Sequence, residues 1–280
     1  MGVDMTLRSV EAVGAGSPTP VLEARHIAKR FGAVVAIADA SIGLNRHEVL
    51  GLVGDNGAGK STLLKVLSGV LLADSGEVFL EGKAIQIRRA HDAMAAGIET
   101  VYQDLALVDT MSAYQNVYLG REELASNWFL RMLDLVDDRA MRKRSREVLD
   151  ALAVKIPTIN VTVKGMSGGQ RQCLAIARAI LWGRRIVILD EPTAALGVRE
   201  SAQVLEVIRD LRNHNVSVIV VSHNMQQLMT IADRITVMRL GRTIATRVVK
   251  DTTGAEIVGL ITGAIRTEQE EESRYDAVPA

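Results

Sequence analysis

The chain has 280 residues, of which 48% are hydrophobic, 24% charged and 3% aromatic; this composition is that of a soluble globular protein and excludes disordered, collagen-like and disulfide-rich classes. Its 33 basic and 33 acidic side chains cancel, so no general positive charge attracts nucleic acid or anionic lipid. A single cysteine, Cys173, cannot form an internal disulfide, and no apolar stretch approaches the roughly 18 to 20 residues that cross a bilayer. These numbers predict a protein of the reducing cytosol.

The two ends of the chain differ in composition from the middle. Residues 1–20 are rich in Gly, Ser, Pro and Thr without periodicity, which predicts a flexible lead-in. Residues 264–280 hold five acidic residues and two arginines, which predicts a solvated acidic tail. We therefore expect one folded domain over residues 21–263.

Between these ends, short apolar runs alternate with segments of helical periodicity. Several runs are apolar throughout, as strands covered on both faces are. In chain order the predicted strands are Val49–Val53, Val78–Leu80, Ile98–Val101, Ile186–Leu189, Val216–Val221 and Ile235–Met238. Helical patterns cover Lys60–Leu72 and Gln170–Leu181. Strands and helices at this spacing predict an α/β fold whose sheet is largely parallel.

One segment interrupts this alternation. The pattern over Arg121–Lys155 is mostly helical and places Met141, Val148, Leu149 and Leu152 on one apolar face. We therefore predict a small helical subdomain, over about residues 121–165, inserted between two parts of the sheet domain.

A glycine-rich stretch follows the predicted strand at residues 49–53. It fits the pattern G-x-x-x-x-G-K-[ST] and consists of Gly54, Asp55, Asn56, Gly57, Ala58, Gly59, Lys60, Ser61 and Thr62. Glycines allow positive φ and bring backbone N–H groups close to phosphate oxygens, and the following helix adds the positive end of its dipole. Lys60 is predicted to reach the β- and γ-phosphates, and the Ser61 hydroxyl to bind Mg²⁺. A simple glycine-rich turn is the alternative that the flanking strand and helix disfavour.

Two adjacent carboxylates, Asp190 and Glu191, end a later predicted strand. Side chains alternate along a strand, so the two residues cannot perform the same task. Asp190 is predicted to hold Mg²⁺, directly or through water, and Glu191 to orient or deprotonate the water that attacks the γ-phosphate. The alternative is a turn, because acidic residues at a strand end are common turn formers. The phosphate loop upstream favours the catalytic role over this alternative.

A capped helix start lies between these two motifs. Ser167 is a good N-cap, and Gly168 and Gly169 leave the helix end open to an anion, with Gln170 next. Physical chemistry alone favours a helix cap without a ligand.

The segments GDNGAGKST, MSGGQRQ, VILDEP and VVSH, in this order, resemble the ATP-binding subunit of ATP-binding-cassette (ABC) transporters over roughly residues 21–263. The SGGQ segment matches the signature motif of that family. The resemblance implies a P-loop NTPase fold, with a RecA-like and mostly parallel sheet core, an N-terminal antiparallel β subdomain and the helical subdomain. It also implies two cassettes that close head to tail around two ATP molecules.

The same resemblance implies further roles. Residues 167–170 would bind the γ-phosphate of the ATP held by a second subunit. Phe31 matches the aromatic residue that stacks on adenine, with a buried strand residue as the alternative. Gln103 matches the glutamine that contacts Mg²⁺ and the attacking water and reports to the membrane partner. His223 matches the switch histidine near the γ-phosphate, so the implied catalytic set is Glu191, His223 and Gln103.

One position departs from the family pattern. Gly197 stands where most members carry an aspartate that links one subunit to the opposite site. A glycine has no side chain for that link, so coupling through it is in question, and a backbone contact is the alternative.

Other segments narrow the resemblance. YQDLAL, NVYLG, TAALGV and SHNM are most similar to the cassettes of monosaccharide importers of the ribose and fructose type. This implies a peripheral protein at the cytoplasmic face of the cell membrane. The implied partners are membrane-spanning permease subunits, a second cassette in a homodimer and, indirectly, a sugar-binding protein, without nucleic acid.

The main alternative is a soluble mechanical ATPase of the same fold that acts on nucleic acid or ribosomes. Repair and chromosome members insert long coiled coils before the signature, whereas only 63 residues separate Gln103 from Ser167. Translation-type members are usually tandem cassettes with a charged linker, which is not seen here. A P-loop kinase or small GTPase lacks the signature motif. The sequence therefore favours the importer subunit.

Overall fold

The computed structural model describes residues 19–125, 128, 132–183 and 185–265. All but the last two residues of the predicted lead-in, and all but the first two of the predicted acidic tail, lie outside these ranges.

Ten strands in the described ranges form one sheet. In chain order they are β1 (Leu22–Phe31), β2 (Val34–Leu44), β3 (Val49–Val53), β4 (Ser75–Leu80), β5 (Lys83–Ile85), β6 (Ile98–Val101), β7 (Ile186–Asp190), β8 (Ser217–Val221), β9 (Arg234–Arg239) and β10 (Arg242–Val248). Their order across the sheet is β5-β4-β1-β2-β10-β9-β3-β8-β7-β6.

The sheet has an antiparallel part and a parallel part. Strands β1, β2, β4 and β5 pair antiparallel, whereas β9, β3, β8, β7 and β6 pair parallel in that order. Strand β10 joins the two parts, antiparallel to β9 and parallel to β2. The mostly parallel core and the N-terminal antiparallel subdomain are thus both confirmed.

Helices cover both faces of the parallel part. Along the described chain they are α1 (Lys60–Leu67), α2 (Ala90–Ala95), α3 (Ala113–Tyr118), α4 (Asp138–Ala151), α5 (Gly168–Trp182), α6 (Val198–Asp210), α7 (Met225–Ile231) and α8 (Gly254–Thr262). Alternate residues of β3 serve opposite faces: Val49 and Val53 join the apolar cluster that contains α5, and Leu50 and Leu52 join the one that contains α1. Burial on both faces explains why β3 and β8 are apolar throughout.

The first predicted helix was too long at its end. Helix α1 stops at Leu67 rather than Leu72, because Gly69 takes a left-handed φ of 72°. A Cβ at Gly69 would collide with the backbone of Arg89, so this turn depends on glycine. Helix α5, by contrast, begins two residues before the predicted start.

The segment predicted to be helical contains α4. This helix lies against α3 and α5, and its Met141 and Leu149 are buried in the cluster that contains α5. The segment therefore shares its core with one face of the sheet, and its boundaries at residues 121 and 165 remain a prediction.

The loop between β6 and α3 is held by a buried amide. The Asn116 side chain of α3 is fully buried; its Oδ1 accepts from the Val108 N–H at 2.7 Å, and its Nδ2 donates to the carbonyls of Val108, Met111 and Ser112. A buried amide with all its hydrogen bonds made favours one path of the loop.

None of the described helices has both the length and the hydropathy that a membrane span requires.

Candidate nucleotide site

The glycine-rich loop, residues 54–62, connects the carboxyl end of β3 to α1. Strand β3 lies between β9 and β8 in the centre of the parallel part, and the carboxyl ends of parallel strands are where α/β sheets bind ligands. Gly54, Gly57 and Gly59 have φ values of 153°, 81° and 99°, a range that favours glycine.

Two of these glycines also lack room for a side chain. A Cβ at Gly54 would collide with the carbonyl of Met238, and one at Gly59 would lie 2.7 Å from the carbonyl oxygen of Ala36. A Cβ at Gly57 would lie in open space, so glycine is favoured there only by its positive φ. The loop is thereby held close to β2 and β9 with its backbone exposed, as a phosphate cradle requires.

Lys60, the first residue of α1, folds back over this loop. Its Nζ donates to the carbonyls of Gly54 at 2.7 Å and Asp55 at 2.9 Å. Burial lowers the pKa of Lys60, while the negative charges of Glu191, Asp55 and Asp190 oppose that shift. The structure thus brings the ammonium group to the two carboxylates predicted from the sequence.

Asp190 is the last residue of β7 and is half-buried. Burial raises the pKa of Asp190, and the neighbouring Glu191 carboxylate adds to this shift, whereas Lys60 opposes it. A half-buried carboxylate beside a second one favours a bound cation, since the cation relieves both repulsion and desolvation. Carboxylate and hydroxyl oxygens are ligands that Mg²⁺ prefers, so Asp190 and the exposed hydroxyl-bearing Ser61 fit this ion.

Glu191 is held by His223. The Nδ1 atom of His223 lies 2.8 Å from Oε2 of Glu191, and the histidine side chain is 73% exposed against 18% for the glutamate. Glu191 has a left-handed φ of 50°, and its N–H donates to the carbonyl of Val221 at the end of β8. Non-glycine residues in this conformation cluster at functional sites, where the surroundings support the strain. The pair can orient a water molecule and accept its proton.

Phe31 and Gln103 lie at the ends of two strands. Phe31 ends β1 and its side chain is 47% exposed, so the alternative of a buried strand residue is wrong. The Nζ atom of Lys29 lies 5.7 Å from the centre of its ring. Gln103 follows β6 by two residues and is exposed, beside the strand that carries Asp190. Their contacts with nucleotide remain predictions.

Ser167 and Gln170 form the cap of α5. The Ser167 hydroxyl accepts from the N–H of Gln170 at 3.4 Å, and Oε1 of Gln170 accepts from the N–H of Ser167 at 3.0 Å, which is a capping box. The Gln170 Nε2 also donates to the carbonyl of Lys155 at 3.0 Å. These contacts involve none of the four residues Lys60, Asp190, Glu191 and His223.

Glu200 is a site residue that the sequence analysis missed. Its carboxylate accepts hydrogen bonds from the Ser167 hydroxyl and from the N–H groups of Gly169 and Gly197, which lower the pKa of Glu200. A Cβ at Gly169 would lie 3.0 Å from the Glu200 Cβ. The carboxylate therefore occupies the start of α5, where the helix dipole favours an anion.

The spacing Gly197-x-x-Glu200 at the start of α6 is that of a capping box. It was the signal in the sequence that could have pointed to Glu200. It does not reveal the contact with α5, which depends on how the two helices pack. A Cβ at Gly197 would meet only Oε2 of Glu200, at 3.9 Å. A Cβ would therefore fit at this position, beside the negative charge of Glu200.

The chain matches the ABC transporter family model over residues 37–194. It is 46% identical to the fructose import ATP-binding protein FrcA of Rhizobium meliloti, across 88% of this chain and 95% of the relative. It is 41% identical to the xylose/arabinose import ATP-binding protein XylG of Sulfolobus acidocaldarius, across 86% and 94%. The ribose import ATP-binding protein RbsA 1 of Rubrobacter xylanophilus is 39% identical, and the chain spans 48% of its length.

Solved structures share the fold. The ADP conformation of MJ1267, an ATP-binding cassette of an ABC transporter, superposes with a TM-score of 0.73 at 22% identity, covering 92% of this chain and 99% of that one. A dimeric post-hydrolysis state of the cassette MJ0796, bound to ADP and phosphate, gives a TM-score of 0.67 at 22% identity, covering 82% and 100%.

The first prediction concerns Lys60. Lys60→Ala removes the ammonium group that faces the phosphate loop, so ATP affinity should fall about 10- to 100-fold. Isothermal titration with ATP measures this change. The matched control is Lys83→Ala, which removes the same charge from the exposed strand β5 and should bind like the wild type. Unchanged affinity in Lys60→Ala would contradict the assignment of the loop.

The second prediction concerns the pH dependence of stability. Because the folded-state pKa of Asp190 is raised, its ionised form destabilises the folded state above that pKa. Asp190→Asn should raise the Tm of the nucleotide-free protein at pH 7.5 by about 1 to 4 °C. The gain should shrink as the pH falls towards the ordinary pKa of aspartate, since the wild type then becomes protonated.

Thermal denaturation between pH 4.5 and 7.5 measures this effect. Asp150→Asn, on the exposed side of α4, is the control and should leave the Tm unchanged at both ends of that range. A Tm for Asp190→Asn that is lower than that of the wild type at pH 7.5 would refute the prediction.

Proposed function

The chain belongs to the ABC transporter family, and we propose that it is the ATP-hydrolysing subunit that energises a monosaccharide importer. The observation that carries the ATPase is the Glu191–His223 pair at 2.8 Å, next to a carboxylate and a lysine that faces the phosphate loop. The import of a sugar is supported by the names of the relatives at 46% and 41% identity.

In this proposal the phosphate loop binds the triphosphate of ATP. The exposed N–H groups of the loop and the N-terminus of α1 donate to the phosphate oxygens. Lys60 exchanges the carbonyls of Gly54 and Asp55 for the β- and γ-phosphates, which satisfies its desolvated charge better. The half-exposed ring of Phe31 stacks on adenine.

Ser61, Asp190 and Gln103 would hold Mg²⁺, which neutralises the charge of the β- and γ-phosphate oxygens when bound. The raised pKa of Asp190 supports this assignment, because a carboxylate that is disfavoured as a free anion gains most from a cation.

Hydrolysis then depends on Glu191. Its carboxylate, fixed by His223, accepts a proton from a water molecule as the water oxygen attacks the γ-phosphorus. The bond from that phosphorus to the bridging oxygen breaks, which gives ADP and inorganic phosphate. His223 holds the carboxylate in place, and in this proposal it also contacts the γ-phosphate.

The signature residues complete the site of a second copy of the chain. Ser167 caps α5 and Gly168 and Gly169 begin it, and the N-terminus of this helix favours an anion. Within one chain, Ser167 and Gly169 donate hydrogen bonds to Glu200. Two copies would close head to tail, so that each signature meets the γ-phosphate of the other copy. A solved cassette of the same fold is described as dimeric, which supports this arrangement.

The membrane partners follow from the import role. Permease subunits would supply the path through the bilayer, with this chain at the cytoplasmic face, and a sugar-binding protein would select the substrate. A mechanical ATPase acting on nucleic acid or ribosomes is not favoured, because the relatives reported above are all named import ATP-binding proteins.

The third prediction tests the general base. Glu191→Gln removes the proton acceptor but keeps the size of the side chain, so ATP should still bind while hydrolysis falls by about 10²-fold or more. A closed dimer should accumulate with ATP. Phosphate release and size-exclusion chromatography measure the two effects, and Glu206→Gln, exposed on α6, is the control. Steady-state hydrolysis equal to that of the wild type would exclude this role.

The fourth prediction tests transport. The chain, reconstituted in vesicles with the permease subunits that co-purify with it and a monosaccharide-binding protein, should drive uptake of a labelled monosaccharide from the set fructose, ribose, xylose and arabinose. Uptake should require ATP on the side of this chain and should fail with Glu191→Gln. ATPase activity that is stimulated by ribosomes or DNA ends, with no uptake of any sugar, would overturn the import role.

A further inference from the structure

Arg178 of the signature helix α5 binds the loop that carries Gln103. Its Nη1 donates to the carbonyl of Ala106 at 2.8 Å, and its Nη2 donates to the carbonyl of Leu105 at 2.6 Å. These carbonyls belong to the second and third residues after Gln103. One guanidinium group therefore donates hydrogen bonds to two successive peptide groups of this loop.

The geometry of this contact is restrictive. A guanidinium group presents its donors in a rigid plane, so two bonds to neighbouring carbonyls fix both distance and orientation. Ala106 has a left-handed φ of 48°, a conformation that a non-glycine residue keeps only where its surroundings hold it.

Burial makes the contact hard to replace. Desolvation lowers the pKa of Arg178, opposed by the charge of Glu99, which itself forms an ion pair with Arg121 at 2.7 Å. A half-buried cation that lost its two carbonyl partners would be left with unsatisfied donors, which is costly.

The first part of the same loop is hydrogen-bonded to the end of α1. The Tyr102 hydroxyl donates to Oγ of Ser68 at 2.7 Å, and Ser68 is the C-cap of α1. Gln103 thus lies between an anchor to the helix that follows the phosphate loop and an anchor to the signature helix.

We propose that Arg178 is a positioning residue. It couples the position of Gln103 to the position of α5. The proposal rests on the role of Gln103 in the proposed function. Ser167 and Arg178 lie on one continuous helix, eleven residues and about 16 Å apart. When Ser167 engages the γ-phosphate held by a second copy, α5 moves as a rigid body and Arg178 moves the Gln103 loop with it.

The fifth prediction uses Arg178→Met, which keeps the aliphatic stem and removes the donors. The kcat for ATP should fall about 10- to 100-fold, because displacement of a positioned group by about 1 Å has effects of this size. The KM for ATP should stay within about twofold, since the phosphate loop is unaltered. Arg178→Lys, which retains the charge and one donor, should recover part of the kcat.

A double-mutant cycle separates positioning from a general loss of structure. In a Gln103→Ala background, Arg178→Met should reduce kcat by no more than about twofold further, because its effect acts through Gln103. Hydrogen exchange of the amides at residues 102–108 should be faster in Arg178→Met. Arg209→Met is the matched control, since Arg209 also donates to a carbonyl, that of Thr230 at 3.1 Å, away from the site.

The outcomes are distinguishable. Independent losses in the double mutant, unaltered exchange at residues 102–108, or an equal loss of kcat in Arg209→Met would overturn the role of Arg178. If Arg178→Met does not fold, Arg178→Lys is the test. Wild-type kcat and wild-type hydrogen exchange in that variant would also overturn the role of Arg178. Absence of hydrolysis by the wild type, or normal hydrolysis by Glu191→Gln, would instead refute the proposed function.

Discussion

The half-buried charges at the end of β7 are the constraint on which the rest of the site depends. Asp190 and Glu191 are adjacent carboxylates at the edge of an apolar sheet, and burial raises the pKa of Asp190. Lys60 offsets part of this charge, yet burial lowers its own pKa. Such a cluster costs folding free energy without ligands, and the proposed nucleotide and metal ion would relieve that cost.

The strand order makes this cluster possible. Parallel pairing of β3, β8 and β7 brings the phosphate loop, His223 and Asp190 to one edge, because each lies at or just after the carboxyl end of its strand. Asp190 pairs with Val221 in the register of β7 with β8, and Glu191 donates to the same residue. The 2.8 Å contact between Glu191 and His223 is a result of that register.

Helix α5 contacts both the start of α6 and the loop that carries Gln103. Its start holds Ser167 and faces Glu200, and its later turns reach the Gln103 loop through Arg178. Glu200 places a negative charge where the phosphate of a second copy is proposed to bind, so closure of a dimer must displace it. Gly197 contributes its N–H to the Glu200 carboxylate and adds no side-chain charge there.

The sequence by itself determined the apolar strands, the parallel core and the motif residues, because burial on both faces and the phosphate loop leave local patterns. Its motifs also predicted Lys60, Asp190 and Glu191, and the family resemblance added His223; the structure brings these four residues together, and their roles remain a proposal. Only the tertiary structure decided the exposure of Phe31, the contact of Glu200 with the start of α5 and the two hydrogen bonds of Arg178 to the Gln103 loop. Each of these joins residues distant in sequence or depends on the space that a neighbour leaves, and no local pattern encodes such contacts.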